Sequence, residues 1–334
     1  MEEMKKRLAR YSRWALGIGI IVSGVQAAAQ SVAPGTAWPT RPVRVVVPFA
    51  PGGSADTLGR LVAARLSESL GQSFPVENRA GAGGVLGSEF VARSAPDGYT
   101  LLVSGVASHA IAPALGKVPF DPIRDFTHIA LFGGPPAVLA VHPSMPVRDL
   151  KSFIAFAKAR PGQIFYGSPG NGTLGHLLAE LFSRNAGIDI RHVPYKGAAL
   201  AVVDVIGGHI HAVSTTLATA GPQIRAGRLR ALAMSAAERL SEYPDVPTFR
   251  ELGHPQLTAT VWFSLSGPAG LPADIATRLN GEVRRALQHS EVRALMRAEG
   301  MEAGALEVKP FNAFMVSEIE RWTKVIQAAG VRTD

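Results

Sequence analysis

The stretch Val45-Val46-Val47-Pro48-Phe49-Ala50-Pro51-Gly52-Gly53-Ser54-Ala55-Asp56, running on to Leu70, limits the choice of fold more than any other. Three β-branched residues in a row predict a short buried strand. Pro48 and Pro51 end it, because neither can donate to a ladder. Gly52-Gly53 permits a tight turn with uncovered amides, and Ser54 or Asp56 is expected to cap the following helix. Leu58, Leu61, Val62, Leu66 and Leu70 then recur at helical spacing on one face. A strand, a glycine turn and a helix start make a cluster of free N–H groups at a positive dipole end, which is half of an anion site.

The arrangement occurs a second time. Ile164-Phe165-Tyr166 predicts a strand, Gly167-Ser168-Pro169-Gly170-Asn171-Gly172-Thr173 a turn, and Leu174, Leu177, Leu178, Leu181 and Phe182 the face of a helix. Strands expected at 74–78, 99–104, 137–141, 209–214, 229–235 and 262–266 alternate with helices at 87–93, 150–159, 198–206 and 222–226. This alternation predicts parallel βαβ units. Residues 272–289, 291–299 and 309–329 carry helical periodicity with charged outer faces, as packing helices do.

The first 29 residues stand apart. Lys5, Lys6, Arg7, Arg10 and Arg13 form a basic start, Trp14 to Val25 an apolar run too short to span a bilayer, and Ala27-Ala28-Ala29 a small-residue cleavage site. Together they predict a Sec signal peptide cleaved after Ala29, export to the periplasm, and a soluble product. Removing its five basic and two acidic residues from 34 and 26 leaves 29 and 24, a net charge of +5. That balance is mild and scattered, so nucleic acid is not expected as a partner. With no cysteine in 334 residues, disulfides, thiolate metal sites and a lipidated N-terminal Cys are excluded.

Other motifs carry weaker signals. Gly170-Asn171-Gly172-Thr173-Leu174-Gly175 fits a dinucleotide-binding spacing with Asp189 downstream, but Pro169 interrupts the turn, so no cofactor is expected. His209 and His211 fall two apart on the expected strand without an evident third ligand, so no metal is expected. His109 follows the third strand near a hinge. Ser168 lacks the Gly two residues earlier that a nucleophile elbow needs, so no catalytic residue is assigned.

Five ordered phrases carry a resemblance: Val47-Pro48-Phe49-Ala50-Pro51-Gly52-Gly53-Ser54-Ala55-Asp56; Glu77-Asn78-Arg79 with Gly81-Ala82-Gly83-Gly84; Pro96-Asp97-Gly98-Tyr99-Thr100-Leu101-Leu102; Val193-Pro194-Tyr195-Lys196-Gly197; and Arg228-Leu229-Arg230-Ala231-Leu232-Ala233. The chain resembles the tripartite tricarboxylate transporter substrate-binding proteins, or Bug receptors, over nearly all of its mature length. The resemblance implies an α/β periplasmic-binding-protein fold of type II character, with two α/β domains joined by two crossovers around a carboxylate-binding cleft. Domain one is expected at 38–131 plus 259–334 and domain two at 132–258.

Within that frame the residues expected at the ligand are Phe49, Gly52, Gly53, Ser54, Ala55 and Asp56 from the first loop, Ser168, Asn171, Gly172, Thr173 and His176 from the second, and Lys196 and Thr215. Asp56 would oppose an anion, so capping or orienting the loop is its expected role. Phe49, Trp262 and Phe263 are candidates for an apolar wall. Ser214-Thr215-Thr216 offers neutral hydroxyls where an ammonium would need an acid, which predicts a carboxylate without an α-amino group. Two helix ends supply at most about 4 kcal/mol toward an anion. A micromolar ligand needs roughly 8, so charge-assisted hydrogen bonds at about 1.5–3 each must provide the remainder. The expected function is that of a monomeric, non-enzymatic receptor delivering its carboxylate to membrane transporter subunits. An exported hydrolase of organic acid esters, favoured by a Ser168–His hydrogen bond, and a sensor-linked receptor are the alternatives.

Overall fold

The computed structural model describes residues 38–298, 300–303 and 308–329. The expected signal peptide therefore lies outside the described residues. The strands are β1 (Arg44–Val47), β2 (Val76–Asn78), β3 (Thr100–Gly105), β4 (Phe126–Gly134), β5 (Ala137–Val141), β6 (Ile164–Ser168), β7 (Ile190–Pro194), β8 (Ala212–Thr216), β9 (Arg230–Met234), β10 (Phe263–Pro268) and β11 (Glu302–Ala303). The helices are α1 (Ser54–Leu70), α2 (Val85–Ala92), α3 (Ala112–Leu115), α4 (Leu150–Lys158), α5 (Leu174–Ala186), α6 (Ala198–Ile206), α7 (Leu217–Arg225), α8 (Ala273–Gln288), α9 (Ser290–Ala298) and α10 (Val308–Ala329).

Two sheets result, ordered β11-β4-β10-β3-β1-β2 and β7-β6-β8-β5-β9. Val45, Val46 and Val47 of β1 are buried on both faces, as a central parallel strand requires. Leu58, Val62 and Leu66 of α1 share a core with Val45 and Val47, while Val46 packs in a second cluster with Val91 and Leu102. Gly71 ends α1 in the left-handed conformation (φ 68°), returning its N–H to Ser67.

The parallel βαβ units that the alternation predicts occur at β1–β3 and β6–β8, and antiparallel strands added to them make both sheets mixed. β1 runs parallel to β2 and β3, but β10 is antiparallel to both β3 and β4. In the second sheet β6 is parallel to β7 and β8, while β5 is antiparallel to β8 and β9. The chain leaves the first sheet after Gly134, enters the second at Ala137, and returns between Met234 and Phe263. A strand arriving from the other sheet needs no crossover helix, so the constraint that makes βαβ units parallel does not act on it. β4 itself escapes a pattern reading, because Phe126, His128, Ile129, Ala130 and Phe132 are buried without strict alternation.

Hydroxyls fix β10 between its neighbours. Ser104 Oγ lies 2.6 Å from Ser264 Oγ and 2.7 Å from Ser266 Oγ, and Ser266 Oγ lies 3.0 Å from His128 Nδ1. His128 Nε2 faces the Pro122 carbonyl at 2.9 Å, so Nε2 carries the proton and Nδ1 accepts from Ser266. Burial pushes this histidine down to about 4. No helix among the described residues is long and apolar enough to cross a membrane.

Candidate binding cleft

Four helices begin at one cleft. Its wall includes Gly53, Ser54 and Ala55 at the start of α1, Thr173, Leu174 and Gly175 at the start of α5, Ala198 at the start of α6 and the N-cap Thr216 of α7. Phe49, Val261, Phe263, Val106, Ala107 and Pro169 add apolar surface, and Ser108 and Gly105 complete the lining. The atom-free space, open mouth included, is about 560 Å³. No lining residue has an ionisable side chain. The electrostatics of the wall therefore come from backbone amides and hydroxyls at helix starts, which favour negative charge.

The first loop is held from behind. Gly53 is the N-cap of α1 and no side chain caps it, contrary to the expected Ser54 or Asp56 cap. Asp56 instead reaches back to the Gly52 N–H at 3.0 Å and receives Arg60 Nε at 3.0 Å and Asn78 Nδ2 at 2.9 Å. Asn78 also donates to the Phe49 carbonyl at 3.0 Å, so one network spans the turn. Burial works against an ionised Asp56, but the Arg60, Asn78 and Gly52 donors outweigh it and hold the carboxyl below its ordinary range.

The second loop rests on two stacked histidines, His176 buried and His192 half-buried. Ser168 Oγ accepts from the Gly170 N–H at 3.1 Å and lies 2.7 Å from His192 Nε2. Thr173 Oγ1 donates to the Gly170 carbonyl at 2.7 Å and accepts from the His176 N–H at 3.4 Å, capping α5. The Gly172 N–H faces His176 Nδ1 at 3.4 Å, and the rings of His176 and His192 stack with centroids 4.2 Å apart. Burial, with His176 alongside, lowers His192 to about 3, and burial lowers His176 against the pull of Glu180.

The loops of the two sheets touch. The Ala50 N–H donates to the Lys196 carbonyl at 3.0 Å, and Ser54 Oγ meets Thr216 Oγ1 at 2.6 Å and Thr219 Oγ1 at 3.2 Å. Gly83 (φ 62°) packs so closely on the second loop that a Cβ there would collide with the Asn171 carbonyl.

Of the residues expected at the ligand, Phe49, Gly53, Ser54, Ala55 and Thr173 stand on the wall. Gly52 is exposed and faces Ala199. Asp56, Ser168, Gly172 and His176 build the loops from behind. Asn171 is exposed and touches Gly83 through its carbonyl; Lys196 is exposed and contributes its backbone carbonyl. Thr215 is buried with an unpartnered hydroxyl, while its neighbour Thr216 lines the cleft. The expected strand at 209–214 actually spans 212–216, which moves His209 and His211 off it; His211 Nδ1 accepts the Phe165 N–H. Of the proposed aromatic wall, Phe263 lines the cleft, whereas Trp262 is core and donates Nε1–H to the buried Glu318 at 2.8 Å. Pattern reading passes over Val106, Ala107 and Ser108, whose only local signal is Gly105 after a predicted strand.

Two mixed α/β sheets whose loops close over an uncharged cleft ringed by helix starts define a solute-binding receptor. The family model described as the tripartite tricarboxylate transporter family receptor matches residues 58–331, and the chain belongs to this family. Protein BugT of Bordetella pertussis (strain Tohama I) is 37% identical over 320 residues, 95% of this chain and 97% of that one. An R. palustris protein solved with adipate superposes with a TM-score of 0.85 at 37% identity, covering 88% of this chain and 99% of the other. MatC from Rhodopseudomonas palustris, solved with bound malate, gives 0.83 at 34% identity over 86% of this chain and all of the other.

Proposed function

We propose that this chain is an exported receptor that captures a small organic carboxylate lacking an ammonium group and delivers it to the membrane subunits of a tripartite tricarboxylate-type transporter. The observation that carries the reading is the convergence of four helix starts on a cleft without an ionised side chain. Such a wall stabilises a carboxylate with dipoles and hydrogen bonds and offers no counter-charge to an ammonium. The adipate and malate carried by relatives support this class. Residues 38–131 plus 259–334 form one lobe and 132–258 the other, in line with the strands assigned to each sheet, although β4 extends the first lobe to Gly134. Opening and closing of these lobes admits and sequesters the ligand. Residues 1–29 direct a monomer to the periplasm and are cleaved after Ala29.

The hydrolase alternative meets its expected mark, a Ser168–His192 hydrogen bond. Ser168 is nonetheless fully buried, is engaged by Gly170, and is absent from the cleft wall. Its hydroxyl shapes the loop, and no reacting atom is assigned to it.

The test is native mass spectrometry of the exported protein, followed by thermal shifts with adipate, malate, hexanoate, benzoate, aspartate and glutamate. A bound acid at a hundred times its Kd stabilises by about 2.7 kcal/mol. The expected result is a shift with one or more of the first four and none with the amino acids. Ester hydrolysis that is lost in Ser168→Ala, with no acid raising Tm, would overturn the receptor reading.

A further inference from the structure

Ser108 stands on the cleft wall, one residue from the most deeply boxed histidine of the chain. Both follow β3 in the helical turn 107–111. His109 is fully buried against Phe126, Phe120 and His128, with ring centroids at 4.6, 5.7 and 5.9 Å. Its Nδ1 lies 2.9 Å from Ser108 Oγ, and its Nε2 has no hydrogen-bond partner. Burial and the neighbouring His128 keep the ring neutral, so one nitrogen donates and the other accepts.

The two tautomers give the cleft opposite chemistry. With the proton on Nε2, an N–H is buried with no acceptor, and Nδ1 takes the hydroxyl hydrogen of Ser108, leaving only lone pairs toward a ligand. With the proton on Nδ1, the ring donates to Ser108 Oγ, the orphan is a lone pair, and the hydroxyl hydrogen is free to point into the cleft. Orphaned buried N–H groups are rarer than under-satisfied acceptors. Donation by Nδ1 also polarises the hydroxyl in the direction an anion needs.

We propose that His109 is a positioning residue that, protonated on Nδ1, aims the Ser108 hydroxyl into the cleft as a donor to the ligand carboxylate. The inference rests on the carboxylate reading of the same cleft, and it selects for acids over uncharged hydrogen-bond donors such as amides and alcohols.

The experiment compares His109→Leu and His109→Asn, with Ser108→Ala and the double variant S108A/H109L. Each is titrated with whichever acid of the thermal-shift panel binds the wild type most tightly. Leucine suits the apolar box but offers no donor. Asparagine fits the box poorly but places an amide N–H near the former Nδ1. The expected result is that the leucine variant has the higher Tm of the two yet loses affinity about fivefold, while the asparagine variant stays within about twofold of wild type. Ser108→Ala loses roughly tenfold or more, and adding H109L to it changes nothing further.

Unchanged or higher affinity in His109→Leu, or equal losses in both variants, would overturn the proposal. Two-bond nitrogen–proton spectra of the wild type give a readout independent of binding. A protonated Nδ1 with a bare Nε2 is expected; the reverse pattern would refute the assignment even if acids bind. Absence of any acid binding would instead fall on the carboxylate reading, with the tautomer still deciding this one.

Discussion

Ser54 and Thr216 belong to helix starts on different sheets, yet their hydroxyls meet at 2.6 Å, with Thr219 Oγ1 within 3.2 Å of Ser54. With the Ala50–Lys196 backbone bond, they join the two sets of loops across the cleft. These neutral hydrogen bonds between the two sets of loops are each worth about 0.5–1.5 kcal/mol net. Contacts of that size can hold a lobe closed over a ligand without making opening prohibitively slow.

Thr219→Val tests this directly, because Thr219 touches Ser54 and Thr216 but is not on the cleft wall. Losing its hydroxyl should weaken ligand binding about threefold to tenfold. Small-angle scattering of the liganded protein should show a larger radius. Unaltered affinity and radius would mean that these hydroxyls play no part in closure.

Gly83 offers a steric test. Its φ of 62° and its approach to the Asn171 carbonyl leave no room for a methyl group. Gly83→Ala should lower the affinity more than tenfold while costing the unliganded fold only about 1–2 kcal/mol of backbone strain. Gly71→Ala carries a similar backbone penalty at φ 68° with open space around it, and should leave affinity intact. Equal affinities for the two variants would contradict a closed cleft with these loops in contact.

Asp56→Asn separates a loop brace from a ligand contact. If the carboxylate braces the loop through Gly52, Arg60 and Asn78, the variant loses about 1–3 kcal/mol of stability and roughly tenfold in affinity. If the carboxylate faces a bound anion, removing its charge raises affinity instead. Chemical denaturation and calorimetric titration of one variant give both signs.

Three buried histidines and the half-buried His192 make stability depend on mild acid. His192 lies at about 3, His128 at about 4, and His109 and His176 below their ordinary value, all depressed chiefly by burial. In the unfolded chain each returns to about 6.5. Below that pH the unfolded state binds more protons than the folded one, so stability is fully present above about 6.5 and falls as pH drops toward the folded values. The slope approaches about 1.4 kcal/mol per pH unit for a histidine whose folded pKa lies well below this range, as those of His192 and His128 do. Tm should fall from pH 7 to pH 5, before the carboxylates titrate, and His192→Gln should flatten that fall by roughly a quarter. A Tm that is constant over this range would contradict the lowered proton affinity of these histidines.

Much of the fold could be read along the chain, because its signals are local. The valines of β1, the glycine turns at 52–53 and 170–172, and the leucine faces of α1 and α5 follow from side-chain shape and spacing. The helix 198–206 lies at its expected bounds, and Phe49, Gly53, Ser54, Ala55 and Thr173 stand on the cleft wall. Harder to see were β4, whose burial on both faces removes its alternation, and β8, which starts three residues and ends two residues later than expected and has Thr216, not Thr215, on the wall. Val106, Ala107 and Ser108 carry no motif; they reach the cleft because of where β3 ends.

Local chemistry determined the two glycine loops at helix starts, the absence of thiol chemistry, and hence a chain suited to holding an anion with neutral donors. Tertiary structure alone decided that four helix starts meet, that Asp56 turns away into Arg60 and Asn78, and that Ser168 is sealed beneath its loop against His192. The division has a physical cause. Backbone dihedrals and periodicity act over a few residues, whereas the partner of a buried polar group is chosen by packing between segments far apart in the chain, such as Ser54 and Thr216, 162 positions away.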